Sequence, residues 1–189
     1  MTVSYEPKDI YYPIIESEGR YLVYGSVCLS KIISGCNIIG VAKALVLKIL
    51  HEDERNSVYC FFGAHPNPID VRELMKDIVK SLELSDCFRF AGNASEIVCL
   101  KNGCSIRFFD SGKEYDTLRI KSIDGLKMAW IHVDDEFSRE KLEIINPSFR
   151  SPESKIVFSF STYVGSDFLH GWFYNDFLTT LPEHSIYML

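Results

Sequence analysis

The sequence lacks the marks of several easily recognised classes. Its six cysteines (Cys28, Cys36, Cys60, Cys87, Cys99 and Cys104) form no C-x-x-C pair, and no close histidine gives zinc-ligand spacing. A dedicated structural zinc site is therefore not expected, and the cysteines read as free thiols in a reducing compartment. The N-terminus, "MTVSYEPKDIYYPIIESEGR", lacks a basic region followed by an apolar core, which excludes a secretion signal. The longest apolar stretch, residues 38 to 50, is broken by Gly40, Lys43 and Lys48 and is too short to cross a bilayer. Positive charge is also scarce: the formal net charge is −6, which argues against a free-standing nucleic-acid binder. "YVGSDF" does not make a G-x-S-x-G elbow, so no hydrolase triad is expected. There is no repeat, low-complexity tract or linker.

What is present is a pattern of alternating strands and helices. "YLVYG" reads as a short strand ending at a turn glycine, Gly25. "NIIGVAKALVLKILHE" carries apolar residues at helical spacing, and "SVYCFFGA" is a strand. "NPIDVRELMKDIVKSLEL" is the clearest helix, with Asp70 as its expected cap and Glu73 three residues later. "EIVCLKNGCSIRFFD" is a hairpin turning at Asn102-Gly103, a dipeptide that tolerates positive φ. "MAWIHVDDEF" is an apolar strand stopping on three acids, "SREKLEIINPSF" a helix capped by Ser138, and "SKIVFSFST" another buried strand. The near-continuous apolar strands at 21–24, 129–133 and 156–160 predict an α/β fold with a mainly parallel sheet flanked by helices and a local β-hairpin.

In open α/β sheets ligands collect beyond the carboxyl ends of the strands. Gly25 to Ile32, "GSVCLSKI", has the outline of a phosphate-binding loop, with Gly25, Ser30 and Lys31 as candidate phosphate-binding residues. Asp134, Asp135 and Glu136 follow the strand "AWIHV". In nucleotide hydrolysis one carboxylate holds the Mg²⁺ shell and a second orients the attacking water. Asp134 is the candidate metal acid and Asp135 the water-orienting one; a register shifted by one gives these roles to Asp135 and Glu136. The bland alternatives are a chance match at residues 25–32 and a solvated acidic turn at 134–136. His132, inside a buried strand with no second ligand nearby, reads as a hydrogen-bonded core histidine. The run from Lys101 to Lys127, with six basic and four acidic residues, reads as solvated surface. The aromatic cluster Phe168, Trp172, Phe173, Tyr174 and Phe177 reads as core, or as an exposed docking surface.

The order of these segments resembles the ATPase domain of tailed-phage terminase large subunits. "RYLVYG…K", then "NGCSIRFFDSGKEYDTLRIKSIDGLKMAWIHVDDEFS", then "INPSFR" and "IVFSFST" follow that family's series over about residues 20 to 175. Gly103-Cys104-Ser105-Ile106-Arg107-Phe108 matches the hairpin pattern, and Lys121-Ser122 the segment after it. Asp134-Asp135 match the paired acids and Phe149-Arg150 the L-R element. The resemblance implies a P-loop NTPase, RecA-like architecture, with residues 1–19 as an N-terminal extension and 20–189 as the domain. It also implies a place in a machine whose ATPase domain drives DNA into a procapsid and whose nuclease domain cuts the concatemer. Gly25 and Lys31 match phosphate-loop positions, and Ser161-Thr162 lie where a coupling motif is expected.

The sequence departs from the family at the site itself. Where the family loop carries several glycines, an arginine and a hydroxyl after the lysine, this chain has Ser26, Val27, Cys28, Leu29, Ser30 and Ile32. Val27 and Leu29 suit a phosphate wrap poorly, and Ile32 offers no ligand to Mg²⁺. No nuclease half is expected after Leu189. These departures predict a non-catalytic terminase-like protein, encoded by a phage or prophage and working in the cytoplasm of a bacterial host by binding a protein partner, as a regulator, decoy or inhibitor. No cofactor is expected; ATP and Mg²⁺ would bind only if the site works. DNA binding is disfavoured by the net charge, and no membrane partner is expected. The alternatives are a packaging-motor ATPase and a nucleic-acid-binding module without ATPase activity. Lys31 is expected to pair with Asp134 or Asp135.

Overall fold

The computed structural model of the protein describes residues 9–16, 20–28, 36–90, 96–123, 125–134, 137–149, 152–163, 172–180 and 184–188. Its strands are β1 (Tyr21–Cys28), β2 (Val58–Phe62), β3 (Phe88–Phe90), β4 (Glu96–Cys99), β5 (Ser105–Phe109), β6 (Leu126–Val133), β7 (Lys155–Tyr163) and β8 (His184–Met188). They form one sheet in the order β3-β4-β5-β2-β6-β7-β1-β8. The six strands from β5 to β8 in this order run parallel; β3 and β4 are antiparallel additions at one edge.

Two helical layers cover the sheet because its central strands are apolar on both faces. Along β6, Met128 and Trp130 join one hydrophobic cluster, while Ala129, Ile131 and Val133 join the other. The first cluster is closed by α1 (Tyr12–Glu16), α2 (Cys36–Leu50) and α3 (Pro68–Ser81). The second is closed by α4 (Glu114–Lys121), α5 (Arg139–Ile145) and the stretch Phe173–Phe177 ahead of α6 (Leu178–Thr180). Phe61 meets Trp130 edge-on at 4.8 Å, and both are fully buried. Burying a side chain of this kind contributes roughly 1.5–3 kcal/mol. Phe173 packs against Phe158 and Phe160, with Trp172 and Phe177 partly buried beside it, so this part of the aromatic cluster is core; Phe168 and the Tyr174 side chain lie outside the described residues. Cys60, Cys99 and Cys104 are buried free thiols and Cys87 is half-buried. Burial pushes the Cys60 thiol up to about 12, which makes it inert.

Two local expectations are corrected. The first strand does not stop at Gly25. It runs on to Cys28, because β7 goes on pairing with it beyond Gly25, through Ser161, Thr162 and Tyr163. Asp70 does not cap α3. Asn67 does: its Oδ1 accepts from Asp70 N at 2.9 Å and its Nδ2 donates to the Asp70 carboxylate at 2.8 Å. Pro68 fits the first helical position, where no N–H is needed, so the helix opens earlier than expected. At the β4–β5 turn only Gly103 takes a positive φ, +76°. Asn102 acts through its side chain, donating to the carbonyls of Ile49 and Glu52 at 2.8 and 3.0 Å. The hairpin tip thereby satisfies carbonyls at the C-terminus of α2. The expected Ser138 cap of α5 is present, with Lys141 N donating to Ser138 Oγ at 3.3 Å.

Residues ahead of the first strand join the core. Tyr11 and Ile14 are buried, and the Tyr11 ring stacks on Tyr24 of β1 at 5.2 Å. Tyr11 also explains Gly40 in the middle of α2, since a Cβ there would overlap the Tyr11 ring. Glycine in a helix interior costs about 1 kcal/mol relative to alanine. Gly40→Ala nevertheless destabilises the protein, by about 1–3 kcal/mol net, because the buried ring must leave. Chemical denaturation reads the effect, and adding Gly40→Ala to Tyr11→Ala costs less than the sum of the two.

Candidate functional site

Because β1, β2, β5, β6 and β7 are parallel, their carboxyl ends share one edge of the sheet. Helices α2 and α3 begin over this edge after β1 and β2, and α4 and α5 after β5 and β6. Strand β7 lies between β1 and β6, so it separates the two strands that carry the candidate motifs.

Gly25 is buried within β1, three residues short of its end, and lies in a ladder on both sides. Ser30 and Lys31, and with them the expected Lys31 ion pair, lie outside the described residues, as do Asp135 and Glu136. Ser161 and Thr162 fall in the last turn-ward part of β7, paired with Ser26 and Val27 of β1; nothing is described of their side chains.

Asp134 is the first residue after β6. Its Oδ2 accepts two backbone hydrogen bonds, from Ala64 N at 3.0 Å and His65 N at 2.8 Å, and the residue engages further partners. The carboxylate therefore ties the end of β6 to the loop that leaves β2. Ala64 and His65 are the participants that sequence reasoning missed. Their only signal is position: "GAHPNP" follows a strand, ahead of a proline-started helix.

Beneath Asp134, on the same face of β6, lies a buried polar chain. Trp130 Nε1–H donates to Ser159 Oγ at 2.7 Å, and Ser159 Oγ lies 2.9 Å from His132 Nδ1. An indole nitrogen can only donate, so Ser159 Oγ accepts from Trp130 and keeps one hydrogen and a second lone pair for the imidazole. His132 Nδ1 is satisfied by either of these, as acceptor in one neutral tautomer and as donor in the other. Burial lowers the His132 pKa to about 4, against an opposing pull from Asp134. The core-histidine reading is the one the geometry bears out.

A Mg²⁺-nucleotide fits the described candidates poorly. A phosphate loop needs backbone N–H groups turned toward the ligand, whereas Gly25 is committed to a sheet. Asp134 Oδ2 already holds two donors, which leaves the other carboxylate oxygen, Oδ1, as the one a metal would need. Among the described residues no group of three or more His, Cys, Asp or Glu side chains is placed to hold a metal ion. No described helix is long and apolar enough to cross a membrane. A cavity of about 220 Å³ lies elsewhere, between the starts of β1 and β7 (Tyr21, Ile156) and residues Arg139, Leu142 and Phe177.

The His132 environment sets a pH dependence. Between about pH 6.5 and about pH 4 the unfolded chain takes up a proton that the folded chain refuses. Stability therefore falls as pH drops through this window, and the His132 contribution levels off below it. Urea midpoints measured from pH 7 to pH 4 for the protein and for His132→Gln separate this part from the carboxylates: the variant declines less steeply.

The chain matches the phage terminase large subunit family over residues 33–187. None of the curated proteins matches it in sequence. The large terminase of a thermophilic bacteriophage superposes with a TM-score of 0.71 at 11% identity, covering 97% of this chain and 46% of that one. The same terminase in complex with ADP gives 0.69 at 12% identity, covering 96% and 44%. The ATPase domain of the large terminase from Thermus phage P74-26, in a mutant form, gives 0.65 at 15% identity, covering 100% and 83%. The chain therefore spans just under half the length of the first two. The fold is that of a terminase ATPase domain, a RecA-like P-loop architecture, and the chain belongs to the phage terminase large subunit family.

Proposed function

We propose that this terminase-family domain does not hydrolyse ATP and works by binding a protein, as a regulator, decoy or inhibitor of a host or phage complex in the bacterial cytoplasm. The observation that carries the reading is the occupation of Asp134 Oδ2 by the Ala64 and His65 amides. A carboxylate used as a structural clamp is poorly disposed to hold Mg²⁺. Support for a protein partner comes from Ile39 and Ile69, 50% and 71% exposed in the first turns of α2 and α3 over the same sheet edge. Large apolar side chains are common at protein interfaces.

One observation favours a second reading, an ATPase of a DNA-packaging motor: a relative of the same fold was crystallised with ADP. Nucleic-acid binding without hydrolysis receives less support. Arg119 of α4 pairs with Asp116 and sits over the rings of Phe109 and Tyr115. Around it Lys113, Arg119 and Lys121 are balanced by Asp110, Glu114 and Asp116.

Two measurements decide between these readings. Isothermal titration with Mg·ATP shows no binding at micromolar concentrations, and phosphate release stays at background with and without DNA; DNA-stimulated turnover would establish the motor instead. Asp134→Ala lowers stability by about 1–3 kcal/mol, because two amides lose their acceptor. If Asp134→Ala leaves the unfolding midpoint unchanged but abolishes a measurable hydrolysis, the clamp assignment fails.

A further inference from the structure

We propose that the phosphate-loop frame of this chain is Ser30–Asn37 rather than Gly25–Ile32, and that the site is lost at Cys36 and Asn37. This rests on the non-catalytic reading and deepens it by naming the residues responsible.

The argument starts from the ends of two elements. A phosphate loop of the form G-x-x-x-x-G-K-[ST] joins a strand to a helix. Its lysine and hydroxyl fall at the first turn of that helix, where the free N–H groups and the positive end of the dipole already face the phosphates. In this chain β1 ends at Cys28 and α2 begins at Cys36. Gly25–Ile32 does not fit between them. Its first glycine would lie inside a strand paired on both sides, and its lysine position, Lys31, would stand five residues ahead of the helix.

Moving the frame by five residues removes both conflicts. Ser30 takes the first glycine position, two residues beyond β1. Gly35 takes the second, immediately before α2. Cys36 takes the lysine position and Asn37 the hydroxyl position, both in the first turn of α2. The glycine before the lysine position is therefore kept, whereas the Gly25 frame has Ser30 there. The family match begins at residue 33, so it takes in the second half of this frame, Gly35, Cys36 and Asn37, and leaves Gly25–Ile32 out.

In this frame the chemistry of the site is gone. A thiol at Cys36 supplies no positive charge, and the amide of Asn37 replaces a small hydroxyl. The first turn of α2 reads Cys-Asn-Ile-Ile, without a charged residue. The first cation along α2 is Lys43, seven residues after Cys36, which is about 10 Å along the axis. A triphosphate at the head of α2 would meet no side-chain cation from that helix.

The test compares completion of the two frames in the full chain. One variant carries Ser30→Gly, Cys36→Lys and Asn37→Thr. The other carries Ser30→Gly and Ile32→Thr, which completes the pattern around Lys31. Binding of Mg·ATP-γ-S is followed by titration calorimetry, with circular dichroism and thermal unfolding as fold controls. The expected result is at least about tenfold tighter binding by the first variant than by the unmodified chain, and no gain by the second. A gain by the second alone, or by neither, overturns the frame. Micromolar binding by the unmodified chain overturns the non-catalytic reading, a separate outcome seen before any substitution. If the triple variant fails to fold, Cys36→Lys alone is compared with Ile32→Thr, and the absence of a gain at residue 36 overturns the proposal.

Discussion

Burial of the central sheet on both faces is the constraint on which the rest of this molecule depends. Strands β1, β6 and β7 have helices above and below, so their side chains must be apolar or completely bonded. Among the described residues few polar side chains enter this layer. Ser159 serves Trp130 and His132 together, and a neutral imidazole avoids the cost of a buried cation. Polar chemistry is otherwise displaced to the strand ends, where parallel pairing gathers it along one edge.

That edge is where the proposed loss of nucleotide chemistry lies. The arrangement of strands and helices matches terminase ATPase domains at identities where only the fold is held in common. Fold persistence at such identity follows from physics: an apolar, two-sided sheet tolerates many substitutions that conserve volume and pattern. A phosphate site does not. It depends on a few residues at fixed distances, so a single substitution can remove much of its attraction for an anion. The Asp134 clamp shows how an acid at a strand end can be retained for a structural purpose, joining β6 to the loop after β2 across 70 residues of sequence.

The same clamp bears on the proposed protein-binding role. It fixes the loop from which α3 starts, and α3 opens with the exposed Ile69. A rigid loop beneath an apolar residue lowers the ordering cost of an interface.

Much of the fold was legible in the residues themselves. Continuous apolar runs marked β6 and β7, helical spacing marked α2 and α3, and Asn102-Gly103 marked the hairpin. Ser138 was readable as a cap because a serine before a helix acts within four residues. Other features depended on neighbours distant in sequence. Nothing local says that β1 outlasts Gly25; the ladder from Ser161 to Tyr163 of β7 decides it. Nothing near Asp134 says that its partners are Ala64 and His65, and nothing near Gly40 says that Tyr11 needs its space. The amino-acid pattern determined which segments become strands and helices, since periodicity and capping act over a few residues. Only the tertiary structure decided where β1 ends, which amides Asp134 holds and which ring fills the space beside Gly40, because hydrogen-bond partners and close contacts are set by chain segments that meet only on folding.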